Sequence, residues 1–386
     1  MKNQLLKGKR VAVIGAGPVG LTAARLLQQA GVDVGVYERD ADAGTRISGG
    51  TLDIHKNTGQ KALQKAGLLD GYYRAAKPTG ECMADVSGRI VMREFPATEN
   101  RYDRPEIDRN DLRKLLLRSL EPGTVAWGRQ YVSVDEREGR FSIRFEDGTT
   151  ATADVVVGAN GGRSGVRTYV TDMAPQYTGT FIIQGEVTDP GTKCPDYKRL
   201  CGDDNLVMPD GEQKMLFSQT RADGAIVYYV AFKGNEHFLS GQGLDINDNR
   251  QTAAFLEKLC RRWDVRFKTL FGATDRFSAL PMRRMPLDKK WTTQSNITLI
   301  GDAAHVMPPF AGIGVNIGLL DALRLSENLT EGNFLSIREA MDDYESSMFE
   351  YAGEAQKATS EAEAGFFSDD SIEDRLKGRE EWNKTL

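Results

Sequence analysis

The chain opens with a sharp change of hydrophobic rhythm. Val11–Ile14 is an unbroken apolar run, the pattern of a strand buried on both faces. Gly15-Ala-Gly-Pro-Val-Gly20 follows, then apolar residues at helical spacing over 21–29, a stop at Gly31, and a second apolar run over 32–37 that ends in Glu38. One βαβ unit is predicted here. A short helix is expected over 57–66, stopped by Gly67. An amphipathic helix is predicted over 109–120, with Leu112, Leu115, Leu116 and Leu120 as its stripe, Asn110 as its cap and Pro122-Gly123 as its stop. Segments 125–127, 131–136, 141–145 and 149–157 alternate like a small antiparallel sheet with a hairpin at Asp147-Gly148, and from Asp154 the chain reads as another buried strand followed by a polar glycine-rich turn up to Arg167.

From 177 to 284 the rhythm changes again. Aromatic and β-branched residues alternate over 180–187, 214–219 and 226–232, which predicts a second antiparallel sheet, suited to wall off a substrate. A helix is expected over 252–263. The last apolar strand, 297–300, runs into Gly301-Asp302 and a loop with Pro308-Pro309, after which Gly312 and Gly314 open another apolar helix. Beyond 365 the chain is acidic, then mixed in charge, and reads as a solvated tail.

Composition narrows the field. The 386 residues allow two closely joined domains, and 40% hydrophobic with 27% charged residues is ordinary for a soluble protein. A net charge of −5 and no basic run argue against a nucleic-acid partner. No apolar run is long enough to span a membrane, and the polar start lacks signal-peptide character, so a cytoplasmic monomer is expected. Cys82, Cys194, Cys201 and Cys260 match no zinc spacing and read as reduced, partly buried thiols. His55, His237 and His305 are too few for a His-rich metal centre, and no G-x-S-x-G elbow supports a hydrolase. No metal is expected.

The βαβ unit carries specific chemistry. Gly15 permits a tight turn, Gly17 lets backbone approach a pyrophosphate, and Gly20 permits close helix–sheet packing. The helix start aims N–H groups at phosphate. Glu38 can accept hydrogen bonds from both ribose hydroxyls and would repel a 2′-phosphate, which favours FAD or NAD at this site. Arg39 reads either as an adenine or phosphate contact or as a solvated strand end. Arg109 reads either as a phosphate contact or as a surface ion pair. The glycine-rich loop 46–53 is expected over the carboxyl edge of the sheet. Near the other end, Asp302 reads either as an acceptor for the hydroxyls of a dinucleotide or as a helix-capping carboxylate. The helix start through Asn316 offers N–H groups to negative charge, and Pro308 and Pro309 stiffen the loop. His305 reads as a packed structural histidine with no evident orienting partner. No catalytic acid–base residue is assigned.

Three motifs occur in order: Gly15-x-Gly17-x-x-Gly20 with Glu38-Arg39, the Ala159–Arg167 turn, and Gly301-Asp302-Ala-Ala-His-x-x-x-Pro309. In these the chain resembles, over nearly its whole length, the class A flavin monooxygenases, the para-hydroxybenzoate hydroxylase-like family. Segments 36–40, 49–53, 109–113 and 307–312 are most similar to the tetracycline-inactivating members. The resemblance implies an α/β fold of GR2 type: a Rossmann-like FAD-binding domain (1–65, 110–172 and 286–341), an inserted β-sheet-rich substrate domain (66–109 and 173–285), and a C-terminal bridging helix and tail (342–386). It implies FAD as cofactor, NADPH or NADH as a transient reductant, and O₂. It further implies hydroxylation of an aromatic or polycyclic small molecule through a flavin C4a-hydroperoxide, a tetracycline-like antibiotic being one candidate.

The residues implied to hold FAD are Gly15, Gly17, Gly20, Glu38, Arg39, Arg46, Asp53, Arg109, Asp302, Pro309, Gly312, Gly314, Val315 and Asn316, with Gln184, Tyr229 and Phe310 toward substrate. An arginine and a histidine that the tetracycline-inactivating members place against their substrate align near Asn205 and Val227 of this chain, and a glycine beside that histidine aligns with Tyr229. The competing readings are a flavin reductase or dehydrogenase of the same fold and a flavoprotein that binds a ligand without turnover. The isolated Trp127, Trp263, Trp291 and Trp382 lack the W-x-W-x-I-P signature of a flavin halogenase.

Overall fold

In the computed structural model the first apolar run, Arg10–Ile14, is the centre of a five-stranded parallel sheet. Its strand order is Ile297–Leu299, Val155–Gly158, Arg10–Ile14, Asp33–Tyr37, Val125–Ala126. The structure describes residues 5–45, 48–370 and 374, so Arg46 lies outside the described residues. Val11, Val13 and Val155–Val157 are fully buried, as double-sided strands require. The helix Pro18–Gln29 crosses over to Asp33–Tyr37, and Gly31, at φ +78°, ends it in the left-handed conformation that glycine adopts without strain.

Two expectations change here. Val125–Ala126 and Val155–Gly158 join the parallel sheet, and only Tyr131–Arg137, Arg140–Phe145 and Thr150–Ala153 form the small antiparallel sheet. Both transferred segments are short and apolar, and such runs do not declare their partner. The helix Arg109–Arg118 is entered from Asp108, whose backbone is extended, so Asn110 lies inside the first turn rather than at the cap.

The second layer is a seven-stranded sheet in the order Arg276–Arg284, Gln176–Val187, Ile226–Lys233, Lys214–Thr220, Asn205–Pro209, Glu81–Ala84, Ile90–Glu94. It is antiparallel except where Asn205–Pro209 meets Glu81–Ala84. One face packs Phe181, Ile183, Tyr228, Val230 and Phe232 on a helical layer containing Trp263, Phe267 and Phe271. All four cysteines are free and buried.

The segment 66–76 and Ile107 pack with the nucleotide-sheet core, as do the large apolar residues of the helix Ile337–Phe366 up to Ala355, whereas Cys82 and Ala84 pack with the second core. Among the described residues, no helix is long and apolar enough to cross a membrane, and no His/Cys/Asp/Glu group could hold a metal ion.

Candidate FAD and substrate sites

The three glycines of the first turn answer to different constraints. Gly15 has φ +112°, and a Cβ there would lie 2.5 Å from the Ala159 carbonyl oxygen. A Cβ on Gly20 would lie 2.2 Å from the Gly15 oxygen, so helix and strand touch backbone to backbone. A Cβ on Gly17 meets nothing within 4 Å, leaving open space at the helix N-terminus where a pyrophosphate fits. Glu38, buried at the end of its strand, accepts the Ala16 N–H at 2.5 Å and the Asp40 N–H at 3.1 Å, fixing its carboxylate beside that turn. Arg39 is exposed.

The far motif abuts the same helix. Val19 packs against Gly301 and Gly318, where added Cβ atoms would lie 3.2 and 2.6 Å from its side chain. Asp302 starts a helical turn, and among the described residues no hydrogen bond or ion pair reaches its exposed carboxylate. Surrounding protein raises its pKa, while His305, Arg109 and Arg167 pull it down. Because the carboxyl is accessible, water screens these effects, and its openness rather than its titration sets its character. An open carboxylate of this kind suits a ligand that carries hydroxyls.

After Asp302 the chain passes through Pro308 and the short 3-10 turn Pro309–Ala311. It then turns at Gly312 (φ +69°) and enters the helix Gly314–Thr330 with Val315 and Asn316 in its first turn. A Cβ on Gly312 would lie 3.7 Å from Asp53. The buried Asn316 amide donates to the Asp53 carbonyl at 2.9 Å and accepts the His55 N–H at 2.7 Å, so its side chain is spent on tying segment 53–55 to the helix start. Asp53 in turn pairs with His55 at 3.0 Å. Arg109 Nε donates to the Gly50 carbonyl at 2.9 Å, which sets the glycine loop at the same place.

The other face of the large sheet is the candidate substrate surface. Gln184 and Tyr229 are direct ladder partners, as are Tyr229 and Phe217, so three side chains form one row across the strands. The Tyr229 and Phe217 rings stack with centroids 6.1 Å apart. Ile182, Met215, Ala231, Leu280 and Met282 continue this apolar face, and Phe310 of the proline loop closes on it together with Phe366 and Phe367. Charged groups stand at the ends of the face and are paired, Arg221 with Glu186 and Lys233 with Glu363. The glycine loop crosses the row: Gln184 donates to Ser48 Oγ at 3.0 Å, and the Tyr229 hydroxyl accepts the Gly50 N–H at 2.8 Å.

Several structural partners were invisible in the sequence. Arg167, almost fully buried, donates to the carbonyls of Gly162, Asp302 and Ala303 at 2.7–2.9 Å, stapling the middle motif to the far one. Burial lowers its pKa and Asp302 opposes that shift. His305 does have an orienting partner: Asp321, one helix later, lies 2.6 Å from its Nε2 and also accepts from Gly301 N–H and the Tyr351 hydroxyl. Burial is the largest single influence and lowers the His305 pKa, but Asp321 together with Asp302 turns the net shift upward. Both side chains are fully buried, which fits a structural role. Arg113 is buried between Asp40, the Thr45 carbonyl and the Trp127 ring, bracing the chain after Glu38.

A parallel nucleotide-binding sheet, an open carboxylate at its carboxyl edge and a separate β-rich wall together define the fold of FAD-dependent monooxygenases. The chain belongs to the FAD binding domain family, which matches residues 9–347. It is 28% identical to a 3-amino-4-hydroxybenzoate 2-monooxygenase, PtmB3, of Streptomyces platensis, over 96% of this chain and 91% of that protein. Its fold matches HpxO of Klebsiella pneumoniae, solved with FAD and uric acid, with TM-score 0.78 at 21% identity over 98% of this chain and 93% of the other. The fold of the tetracycline destructase Tet(55) matches with TM-score 0.78 at 19% identity over 97% and 94%.

Proposed function

We propose that this protein is an FAD-dependent monooxygenase that takes electrons from NADPH or NADH and adds one oxygen atom of O₂ to an aromatic or polycyclic small molecule. The observation that carries this reading is the row Gln184–Tyr229–Phe217 lying under the glycine loop and facing Phe310 of the proline loop, so that a planar ring has an apolar, partly closed bed beside the cofactor elements. Gly15, Gly17, Gly20 and Glu38 would hold the adenosine diphosphate end and Asp302 the ribityl chain, with the Gly312–Asn316 helix start beside the ring. The bound flavin supplies the redox chemistry and the activation of O₂.

The residues supply the rest. Phe217 and Tyr229 offer stacking, the Gln184 amide orients a polar substituent, and Phe310 with Phe366 and Phe367 excludes water. Only one βαβ nucleotide unit is present among the described residues, which supports a nicotinamide that visits and leaves. Asn205 and Tyr229 are engaged with Glu106 and Gly50 in this chain, so a tetracycline would find a different set of anchors here.

The test is NADPH and NADH oxidation by the FAD-loaded protein with a panel of phenols, hydroxylated N-heteroaromatics and tetracyclines, with product masses. Substrate-stimulated oxidation and a gain of one oxygen are expected. Flavin reduction without oxygen insertion across the panel would turn the reading toward a reductase, and no reduction at all toward a ligand binder.

A further inference from the structure

The seam between the glycine loop and the large sheet contains an acid that the proposed chemistry does not use. Glu106 lies opposite Asp53 in the two-stranded ladder of Leu52–Asp53 with Glu106–Ile107 and is almost fully buried. The Thr51 hydroxyl donates to its Oε2, and Asn205 Nδ2 contacts its Oε1. Gln219 Nε2 donates to Thr51 Oγ1 at 2.8 Å and lies 3.5 Å from Glu106.

Among the described residues no cation pairs with Glu106. The charged groups around it are Asp53 with its partner His55, Glu81 with Arg104, Asp204 beside Asn205 with Arg93, and Lys77, whose backbone bridges to that of Glu106. A carboxylate here would be a buried anion facing other carboxylates with neutral donors only, which is costly. Burial first, and then Asp53 and Glu81, push its pKa up to about 7 against the pull of Thr51 and Asn205.

The hydrogen bonds allow two arrangements. With the anion, Thr51 and Asn205 both donate; one atom of the Asn205 amide, Oδ1 as placed and Nδ2 once the amide is turned over, has no partner in either arrangement. With the neutral acid and the Asn205 amide turned over, the bonds run in one direction: Gln219 N–H to Thr51, Thr51 O–H to Glu106, Glu106 O–H to the Asn205 carbonyl oxygen. Gln219 also touches the loop, since a Cβ on Gly50 would lie 2.0 Å from its Oε1.

We propose that Glu106 is a positioning residue which, as the neutral acid, locks Thr51 and the glycine loop onto Asn205 and Gln219 of the substrate sheet, and loosens that seam when it ionises. The loop's place over Gln184 and Tyr229 makes the seam part of the substrate bed, and in this respect the proposal rests on the monooxygenase reading. A group held protonated by the fold contributes its stabilisation at low pH and loses it as pH rises through the folded value. The lock therefore opens through about pH 7.

The experiment follows the melting temperature and flavin absorbance of the FAD-loaded protein, without substrate, from about pH 4, the ordinary carboxyl value, to about pH 8, beyond the folded value. Wild type should lose melting temperature through Glu106 as pH rises from the ordinary carboxyl value to about 7, with no further loss from this group above it, while its flavin band shifts with a midpoint at about pH 7. Glu106→Gln, which keeps one donor and one acceptor but no titration, should hold the low-pH spectrum throughout. Thr51→Val removes a donor that favours the anion and should move the midpoint to higher pH, which keeps the idea testable if Glu106→Gln folds poorly. His55→Gln should leave the transition in place. Parallel profiles for wild type and Glu106→Gln, loss of the transition in His55→Gln, or a midpoint unmoved or lowered by Thr51→Val would each overturn the proposal. None of these readings needs turnover, so failure to oxidise any substrate would count against the monooxygenase reading alone.

Discussion

Gly17 and Gly20 sit three residues apart and have opposite neighbourhoods. Alanine at Gly20 would drive a methyl to 2.2 Å from the Gly15 oxygen, a backbone atom that cannot step aside. Overpacking of this kind costs about 1–3 kcal/mol or more, so Gly20→Ala should lower the melting temperature of the cofactor-free protein. Alanine at Gly17 meets nothing in the protein, so Gly17→Ala should melt like wild type without FAD and yet bind FAD more weakly. Equal melting temperatures for the two variants, measured without FAD, would contradict the assignment. Asp302 makes a second test at this scale. Hydrogen bonds to a charged group are worth about 1.5–3 kcal/mol, so Asp302→Ala should weaken FAD binding about tenfold to a hundredfold in a fluorescence titration. Undiminished retention through purification would remove Asp302 from the cofactor site. The glycine spacing and both carboxylates were legible in the sequence because their reasons are local, a turn and a strand end. Glu106 was not, because its partners Asn205 and Gln219 lie about a hundred residues further on in sequence.

The elements hold the site through contacts that no periodicity reveals. A pattern of apolar runs locates strands but not their neighbours, which is why Val125–Ala126 read as antiparallel and proved parallel, and why 154–158 read as a buried strand without its partners Arg10–Ile14 and Ile297–Leu299. The helix Gly314–Thr330 shows the same limit: its apolar spacing was readable, whereas the purpose of the buried Asp321 within it was not. That carboxylate caps Gly301, orients His305 and receives Tyr351, joining strand end, turn and two helices. The raised His305 pKa fixes a sign. Stability from the pair is complete below the ordinary histidine value of about 6.5 and is lost as pH rises through the raised folded value. Asp321→Asn should remove that alkaline loss and cost about 3–5 kcal/mol in denaturant unfolding, the usual result of breaking a buried pair. The measurement belongs in a Glu106→Gln background, so that the loss from Glu106, which ends at about pH 7, does not run into that from His305. A variant that keeps the wild-type slope with pH would show that the His305–Asp321 pair is not its source.

At the scale of the whole molecule, the two ends of the chain build one core. The resemblance placed residues 342–386 outside both domains as a bridging helix and tail, a reading that follows from order along the chain. In the helix Ile337–Phe366, Ile337, Met341, Tyr344, Met348 and Phe349 are buried in the same cluster as Val11, Val13 and Leu27. Its polar residues reach the strand that leads to Asp302, since Glu345 accepts from Thr298 at 2.6 Å and from Thr293 at 2.7 Å, and the Tyr344 hydroxyl donates to the Leu299 carbonyl at 2.9 Å. Buried Glu345 has its pKa raised by desolvation, with those hydroxyls opposing the shift. Five large apolar side chains at about 1.5–3 kcal/mol each amount to something on the order of 10 kcal/mol, comparable with the whole stability of an ordinary domain. A chain ending at Gly332 should therefore fail to unfold cooperatively and should not retain FAD, even though every nominated cofactor residue is still present in it. Adding FAD in excess should not restore it, because ligand binding stabilises only as the logarithm of concentration over the dissociation constant and reaches about 4 kcal/mol at a thousandfold excess. Calorimetry and flavin absorbance of the purified fragment check this. A soluble fragment with a sharp transition and one bound FAD would mean that the long helix only bridges, and that the strand leading to Asp302 is held by the parallel sheet alone.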